Sequence, residues 1–212
     1  MKIQILTSKN SWLNLNRKFL IKQKKIWKNV RILNDHRKIK KDYDITAILS
    51  YYKIIPEKFL KYSRYNLVVH ESNLPKGRGF SPLYWQIIKG INKITFSLFE
   101  CSKKMDAGRI YIKRKFIFPS SLTHDEIKKK QLSSALSLLE TFIKNFKKNK
   151  IISFMQKGKA TYYKKIPKSL SEINIKKSII SQINIIRTRD NQKFPSYFFY
   201  KKRKYFIKLT TK

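Results

Sequence analysis

Apolar and polar positions alternate along this chain in blocks that change period. Lys2 to Leu6 is a short apolar run that ends in the polar residues 7–11, the pattern of a buried strand and its loop. Trp12, Leu15, Phe19 and Ile26 then recur at helical spacing. Val30–Leu33, Ile45–Leu49 and Leu67–His70 read as further strands, with a short helix opened by Pro56 through Phe59 and Leu60. Continuous apolar strands alternating with helices predict an α/β fold with a mostly parallel sheet covered by helices on both faces.

Further along, Ser81 followed by Pro82 predicts a helix start, with Ser81 as the capping hydroxyl and Trp85 and Ile88 facing the core until Gly90. Ile94, Phe96 and Leu98 alternate with polar residues as a half-buried strand does, and so do Ile110, Ile112 and Phe116. Thr123 and Glu126 form a capping box, and Leu122 with Ile127 a hydrophobic staple. They open a helix with Leu132, Ala135, Leu139, Phe142 and Phe146 on one face. After about residue 150 the character changes. Thr161–Tyr163 reads as a short strand, Asn174 as the cap of a helix carrying Ile175, Ile179, Ile183 and Ile186, and residues 197–209 as a hairpin. The division expected is a main domain over 1–150 and a small helix-and-hairpin appendage over 151–212, packed on the main domain or on a second copy.

Composition narrows the chemistry. Cys101 is the only cysteine, so no internal disulfide and no thiolate zinc cluster can form. His36, His70 and His124 lack metal-ligand spacing, and no metal is expected. No apolar run is long enough to span a bilayer, and the N-terminus does not read as a signal peptide, so a soluble, cytoplasmic protein is expected. The net charge of +38 raises nucleic acid as a partner. Most of the cations are Lys, however, and Ile, Asn, Tyr and Phe are also abundant, as AT-rich coding would produce. The Lys-rich runs 22–28, 128–130 and 147–150 read as solvated faces, and His36 and His124 as structural.

The informative stretch is residues 50–110. His70 falls at the carboxyl end of an expected parallel strand, where open α/β sheets bind ligands. A polar loop follows, residues 71–79, and then residues 105–110. His70, Ser72, Leu74, Pro75, Arg78, Gly79, Pro82 and Trp85 spell HxSxLPxxRGxxPxxW, and Asp106, Gly108 and Ile110 spell DxGxI. This pattern resembles that of the folate-dependent formyltransferases. Residues 50–56 resemble the family's folate-lining segment, and residues 187–198 the short C-terminal element of its sugar-modifying members.

The resemblance implies a Rossmann-like fold and transfer of a formyl group from 10-formyltetrahydrofolate to an amine. His70 and Asp106 would be catalytic, the carboxylate supporting the imidazole as it takes a proton. The family has an asparagine two residues before the histidine to hold the oxyanion. Val68 stands there, and Asn73 is the expected substitute. Tyr52, Lys53, Ile54, Ile55, Lys104 and Met105 would line the folate, with Tyr51 beside them. Ser8, Asn10, Ser11, Lys76 and Arg78 would meet substrate phosphates. The short chain and the wording of residues 70–85 favour a sugar N-formyltransferase acting on a nucleotide-linked amino-dideoxy sugar for O-antigen and related surface polysaccharides, working as a homodimer without a nucleic-acid partner. The alternatives are a methionyl-tRNA or ribonucleotide-amine formyltransferase, and a non-enzymatic basic module that binds nucleic acid.

Overall fold

The computed structural model describes residues 1–18 and 30–211. Phe19, Ile26 and the run 22–28 lie outside the described residues. A six-stranded sheet forms the centre. Its strands are β1 (Ile3–Leu6), β2 (Arg31–Leu33), β3 (Tyr43–Ile48), β4 (Ser63–His70), β6 (Lys93–Glu100) and β7 (Ile110–Ile117), in the order β2-β1-β3-β4-β6-β7. The first four run parallel; β6 and β7 run antiparallel. The expected α/β architecture is therefore present, with an antiparallel edge where β6 and β7 are joined by the 101–109 loop rather than by a helix.

β1 is buried at all four positions, which is why it reads as an unbroken apolar run apart from Gln4. That buried amide donates to Thr46 Oγ1 at 3.0 Å and to the Lys40 carbonyl at 3.0 Å, so its polarity is satisfied. One face of the sheet carries Ile3, Ile5, Ile45, Ala47, Leu67, Ile94, Phe96 and Leu98, covered by α4 (His124–Lys147). The α4 stripe Leu132, Ala135, Leu139 and Phe142 meets this face as the periodicity predicts. Each of the Leu, Ile and Phe side chains among them contributes about 1.5–3 kcal/mol when fully buried. Glu126 Oε2 accepts from both the amide and the hydroxyl of Thr123 at 2.8 Å, and these bonds lower the Glu126 pKa.

The remaining helices are α1 (Trp12–Leu15), α2 (Glu57–Leu60), α3 (Pro82–Ile88) and α5 (Ile179–Ile186). Two expected caps differ. Ser81 stands in the left-handed region at φ 50° and makes no side-chain cap bond, although Pro82 does begin α3. α5 is capped by Ser178, not Asn174, whose carboxamide instead accepts from Lys176 N in a preceding turn. Ile175 and Ile179 accordingly face solvent, whereas Ile186 is buried. β9 (Ser196–Tyr200) and β10 (Arg203–Ile207) form the expected hairpin. The C-terminal segment rests on the main body through Arg187, which is 2 % exposed and donates to the Pro119 and Leu122 carbonyls. A two-stranded parallel pair not foreseen from sequence joins β5 (Arg78–Gly79) to β8 (Tyr162–Tyr163). Among the described residues no helix is long and apolar enough to cross a membrane.

Candidate active site

His70 is the last residue of β4 and is 7 % exposed. Its Nε2 lies 2.8 Å from the Gly77 carbonyl and 3.8 Å from Asp106 Oδ2. A carbonyl only accepts, so Nε2 carries the proton, and in the neutral ring Nδ1 is the free base. Two local conformations make this approach possible. Gly77 has φ +74°, and a Cβ there would stand 2.8 Å from the Tyr163 ring. Asp106 sits at φ 49°, a region Asp tolerates better than most residues. Its Oδ2 also accepts from Gly79 N at 2.9 Å, which binds the 105–110 loop to the 71–79 loop.

Gly108 is required by packing. A Cβ at that position would run into the Glu100 carbonyl, the end of β6. Gln156 completes the loop's support, its Nε2 donating to the Asp106 and Gly108 carbonyls at 2.8 and 2.9 Å. Arg78, expected to face a phosphate, is 8 % exposed and donates through Nη2 to Gln156 Oε1 at 2.6 Å. It thus acts on the site through Gln156. Trp85 is a strut of the same kind: its Nε1 donates to the Lys164 carbonyl at 2.8 Å, and its ring stacks on Tyr163. Residues 154–163, beyond the expected boundary near 150, therefore run back to the site. Sequence reasoning missed Gln156 and Tyr163, because nothing in a local pattern marks a residue that acts from fifty or more positions away.

Val68 shares the strand face of His70 and packs with Leu74, Phe99 and Ile110, so the position is apolar here. Asn66 is occupied elsewhere, donating Nδ2 to the Leu60 carbonyl. Asn73 is exposed, and its Oδ1 accepts from Lys113 Nζ at 2.7 Å. An ammonium is a donor only, so this bond fixes the amide orientation and leaves Nδ2 free to donate. Lys113 also donates to the Leu74 carbonyl, and its burial lowers its pKa. Across the sheet His70, Ser97 and Lys113 form one lateral row on a shared face.

The other candidates are scattered around this centre. Ser11 is 1 % exposed and caps α1 by accepting from Asn14 N at 3.1 Å. Ser8 Oγ accepts from Tyr52 N at 3.0 Å, joining the loop after β1 to the loop after β3. This is the topological switch point of the sheet, since β1 has β2 on one side and β3 on the other. Asn10 and Tyr52 line a cleft with Phe80 and Tyr84. Tyr51 is half-buried against His36, with its hydroxyl 2.8 Å from the ring nitrogen. Lys53, Ile54, Lys76, Lys104 and Met105 are exposed, and Ile55 packs near Cys101. Lys128 is not a solvated lysine as its run suggested: it is half-buried, with its ammonium 4.9 Å from the Tyr84 ring centre. Among the described residues no group of three or more His, Cys, Asp or Glu could hold a metal.

Comparison with known proteins places these features in a family. Residues 16–142 match the family model described as "Formyl transferase". A methionyl-tRNA formyltransferase from Sulfurihydrogenibium sp. is 31% identical over 169 residues, covering 77% of this chain and 52% of the relative. The chain spans about half the length of the curated relatives it matches. Among solved structures, a methionyl-tRNA formyltransferase from Clostridium thermocellum superposes with a TM-score of 0.76 at 23% identity, covering 96% of this chain and 90% of that one. A 4-N formyltransferase from Francisella tularensis gives 0.70 at 19% identity, covering 100% and 98%. At such identities the two structures show the fold alone.

The expected assignment to the sugar-modifying branch, with its nucleotide-sugar substrate and O-antigen role, is overturned. The curated relatives matched at about 30% identity are methionyl-tRNA formyltransferases. The chain belongs to the formyl transferase family, the folate-dependent formyltransferases.

Proposed function

We propose that the chain transfers a formyl group from 10-formyltetrahydrofolate, the cosubstrate of its family, to the α-amino group of an aminoacyl-tRNA, methionyl-tRNA being the favoured acceptor. The observation that carries the reading is the His70–Asp106 pair at the carboxyl end of β4, 3.8 Å apart and both shielded from solvent. Nδ1 of His70 takes the proton that the attacking amine loses as it bonds to the formyl carbon, Asp106 stabilises the imidazolium that results, and the proton passes to the folate nitrogen as its bond to that carbon breaks. Nε2 stays fixed on the Gly77 carbonyl throughout, so the ring does not have to reorient. The folate supplies the activated formyl carbon. Residues suited to it are at hand: exposed apolar side chains at Tyr52, Ile54 and Met105, with Lys53 and Lys104 beside them for its anionic tail.

Asn73 is the donor to the developing oxyanion in this reading, and Lys113 its positioning residue. Asn73→Ala is expected to lower kcat by about 10²-fold, the scale of losing one such donor. Lys113→Met should lower kcat less, with KM little changed. Full activity in Asn73→Ala removes the assignment.

The net charge of +38 supports a polyanionic acceptor. The test is formyl transfer to methionyl-tRNA, free methionine and uncharged tRNA, with apparent KM followed from low to moderate salt. Product from methionyl-tRNA alone, with KM rising steeply as salt is added, is the expected result. Absence of product from methionyl-tRNA, or transfer that ignores salt, contradicts it.

A further inference from the structure

The cleft lined by Asn10, Tyr52 and Tyr84 contains a second cluster of ionisable groups that the chemistry at His70 does not use. It has a volume of about 470 Å³ and lies between α1, the starts of α3 and α4, and the two segments 165–171 and 188–194. Five cations line it, Lys128, Lys165, Lys168, Arg189 and Lys193, against one carboxylate, Asp190.

Two buried groups there are under-satisfied among the described residues: a cation met by neutral acceptors alone, and a hydroxyl met by none. Arg189 is 8 % exposed, and no carboxylate pairs with it among the described residues. Its hydrogen bonds are long and go to neutral acceptors, the Ile185 carbonyl at 3.4 Å and Thr188 Oγ1 at 3.2 Å. Asp190 is turned away, its Oδ1 accepting from Gln192 N and Lys193 N. Tyr84 is 9 % exposed, and its hydroxyl is buried with no hydrogen-bond partner. A buried cation and a buried hydroxyl are each costly until an acceptor meets them. Burial accordingly lowers the Arg189 pKa and raises that of Tyr84, and each of these groups acts electrostatically on the other. An anion between them would satisfy both, because a guanidinium and a phenol are donors suited to phosphate oxygens. Phe80 and Phe194 stand exposed around the cleft and offer flat faces to a base.

We propose that this cleft binds the phosphate of a nucleotide, with Arg189 and Tyr84 as its buried donors and Lys128 beside them. Its identification as the seat of the acceptor's terminal nucleotide rests on the proposed function. The geometry suits that role. Glu71, the residue after His70, bonds Gln131 of α4 and acts electrostatically on both Tyr84 and Lys128, so the cleft adjoins the catalytic strand end. An aminoacyl ester hangs from the ribose of the terminal nucleotide, so holding that nucleotide's phosphate brings the amine toward His70.

The test uses the full chain and adenosine 5′-monophosphate as the probe, by calorimetric titration and by ligand-induced change in Tm. The nucleotide should bind at least ten-fold more tightly than adenosine. Arg189→Gln should weaken it ten-fold or more. Tyr84→Phe should weaken it several-fold while leaving the Tm of the free protein equal or higher, which a purely structural hydroxyl would not do. Equal binding of adenosine, inorganic phosphate binding as tightly as the nucleotide, displacement of the nucleotide by triglutamyl tetrahydrofolate, or unchanged affinity in both variants would each overturn the proposal. Formyl transfer to methionyl-tRNA is measured alongside. Absent transfer with Arg189-dependent nucleotide binding refutes the acceptor assignment but leaves the phosphate site, whereas transfer with no such binding refutes the site alone.

Discussion

Replacing His70 by Gln is expected to lower kcat for formyl transfer by about 10²–10⁴-fold, the range that general acid–base catalysis contributes. Glutamine keeps a donor that can reach the Gly77 carbonyl, now 2.8 Å from Nε2, so the loop retains its anchor. What it lacks is a ring nitrogen able to take a proton, and proton removal from the amine is then left to water. His70→Ala should lose activity equally and also destabilise the fold, by about 1 kcal/mol or more, because the buried carbonyl loses its partner. Steady-state kinetics together with thermal melts distinguish the two variants. A His70→Gln protein with near-normal kcat would show that the imidazole is not the base.

The second large effect is expected at a residue with no side chain. Gly108→Ala places a methyl group against the Glu100 carbonyl, and backbone cannot move aside as a flexible side chain can. The 105–110 loop must therefore part from β6. Two bonds are at risk: Glu100 N to the Arg109 carbonyl at 2.9 Å, and Gln156 Nε2 to the Gly108 carbonyl at 2.9 Å. Asp106, two residues earlier, moves with the loop and leaves His70. Overpacking on this scale costs about 3 kcal/mol, which for a chain of this size lowers Tm by about 6–12 °C. The expected result is a protein with a lowered melt that has lost most of its activity even at temperatures where it is folded. A Gly108→Ala protein with unchanged Tm and kcat would show that the loop tolerates displacement.

These two predictions also mark what was legible in the sequence. The strands β1 and β3 read clearly because their apolar runs are buried on both faces, and α4 because one stripe and a capping box agree. His70 and Asp106 were found through a pattern whose two parts converge on one strand end, and the 3.8 Å separation now explains why both parts are needed. The support beneath them was not legible. Gln156, Tyr163 and Lys113 reach the site from other elements, and a side chain's hydrogen-bond partners are fixed by tertiary structure rather than by local spacing. Arg78 shows the opposite failure. Its loop suggested a phosphate ligand, yet the return of residues 154–163 covers it and turns it into a strut. Ser81 failed as a cap: it stands in the left-handed region, and its hydroxyl makes no cap bond with α3.

The positive charge, first read mainly as a by-product of coding bias, changes meaning with the acceptor. Five of the cations, the buried Arg189 among them, line one cleft with a tyrosine hydroxyl that has no hydrogen-bond partner among the described residues, which coding bias alone does not arrange. A basic field around that cleft would also speed capture of a polyanion.

The proposed role of His70, held by Gly77 and Asp106, is to move protons in formyl transfer to methionyl-tRNA. Single-turnover formation of formyl-methionyl-tRNA from 10-formyltetrahydrofolate, compared between the unmodified chain and His70→Gln, tests it most directly. Product should form with the first, and at a rate at least 10²-fold lower with the second at equal acceptor binding. No product from the unmodified chain, or equal rates in the two proteins, would contradict it.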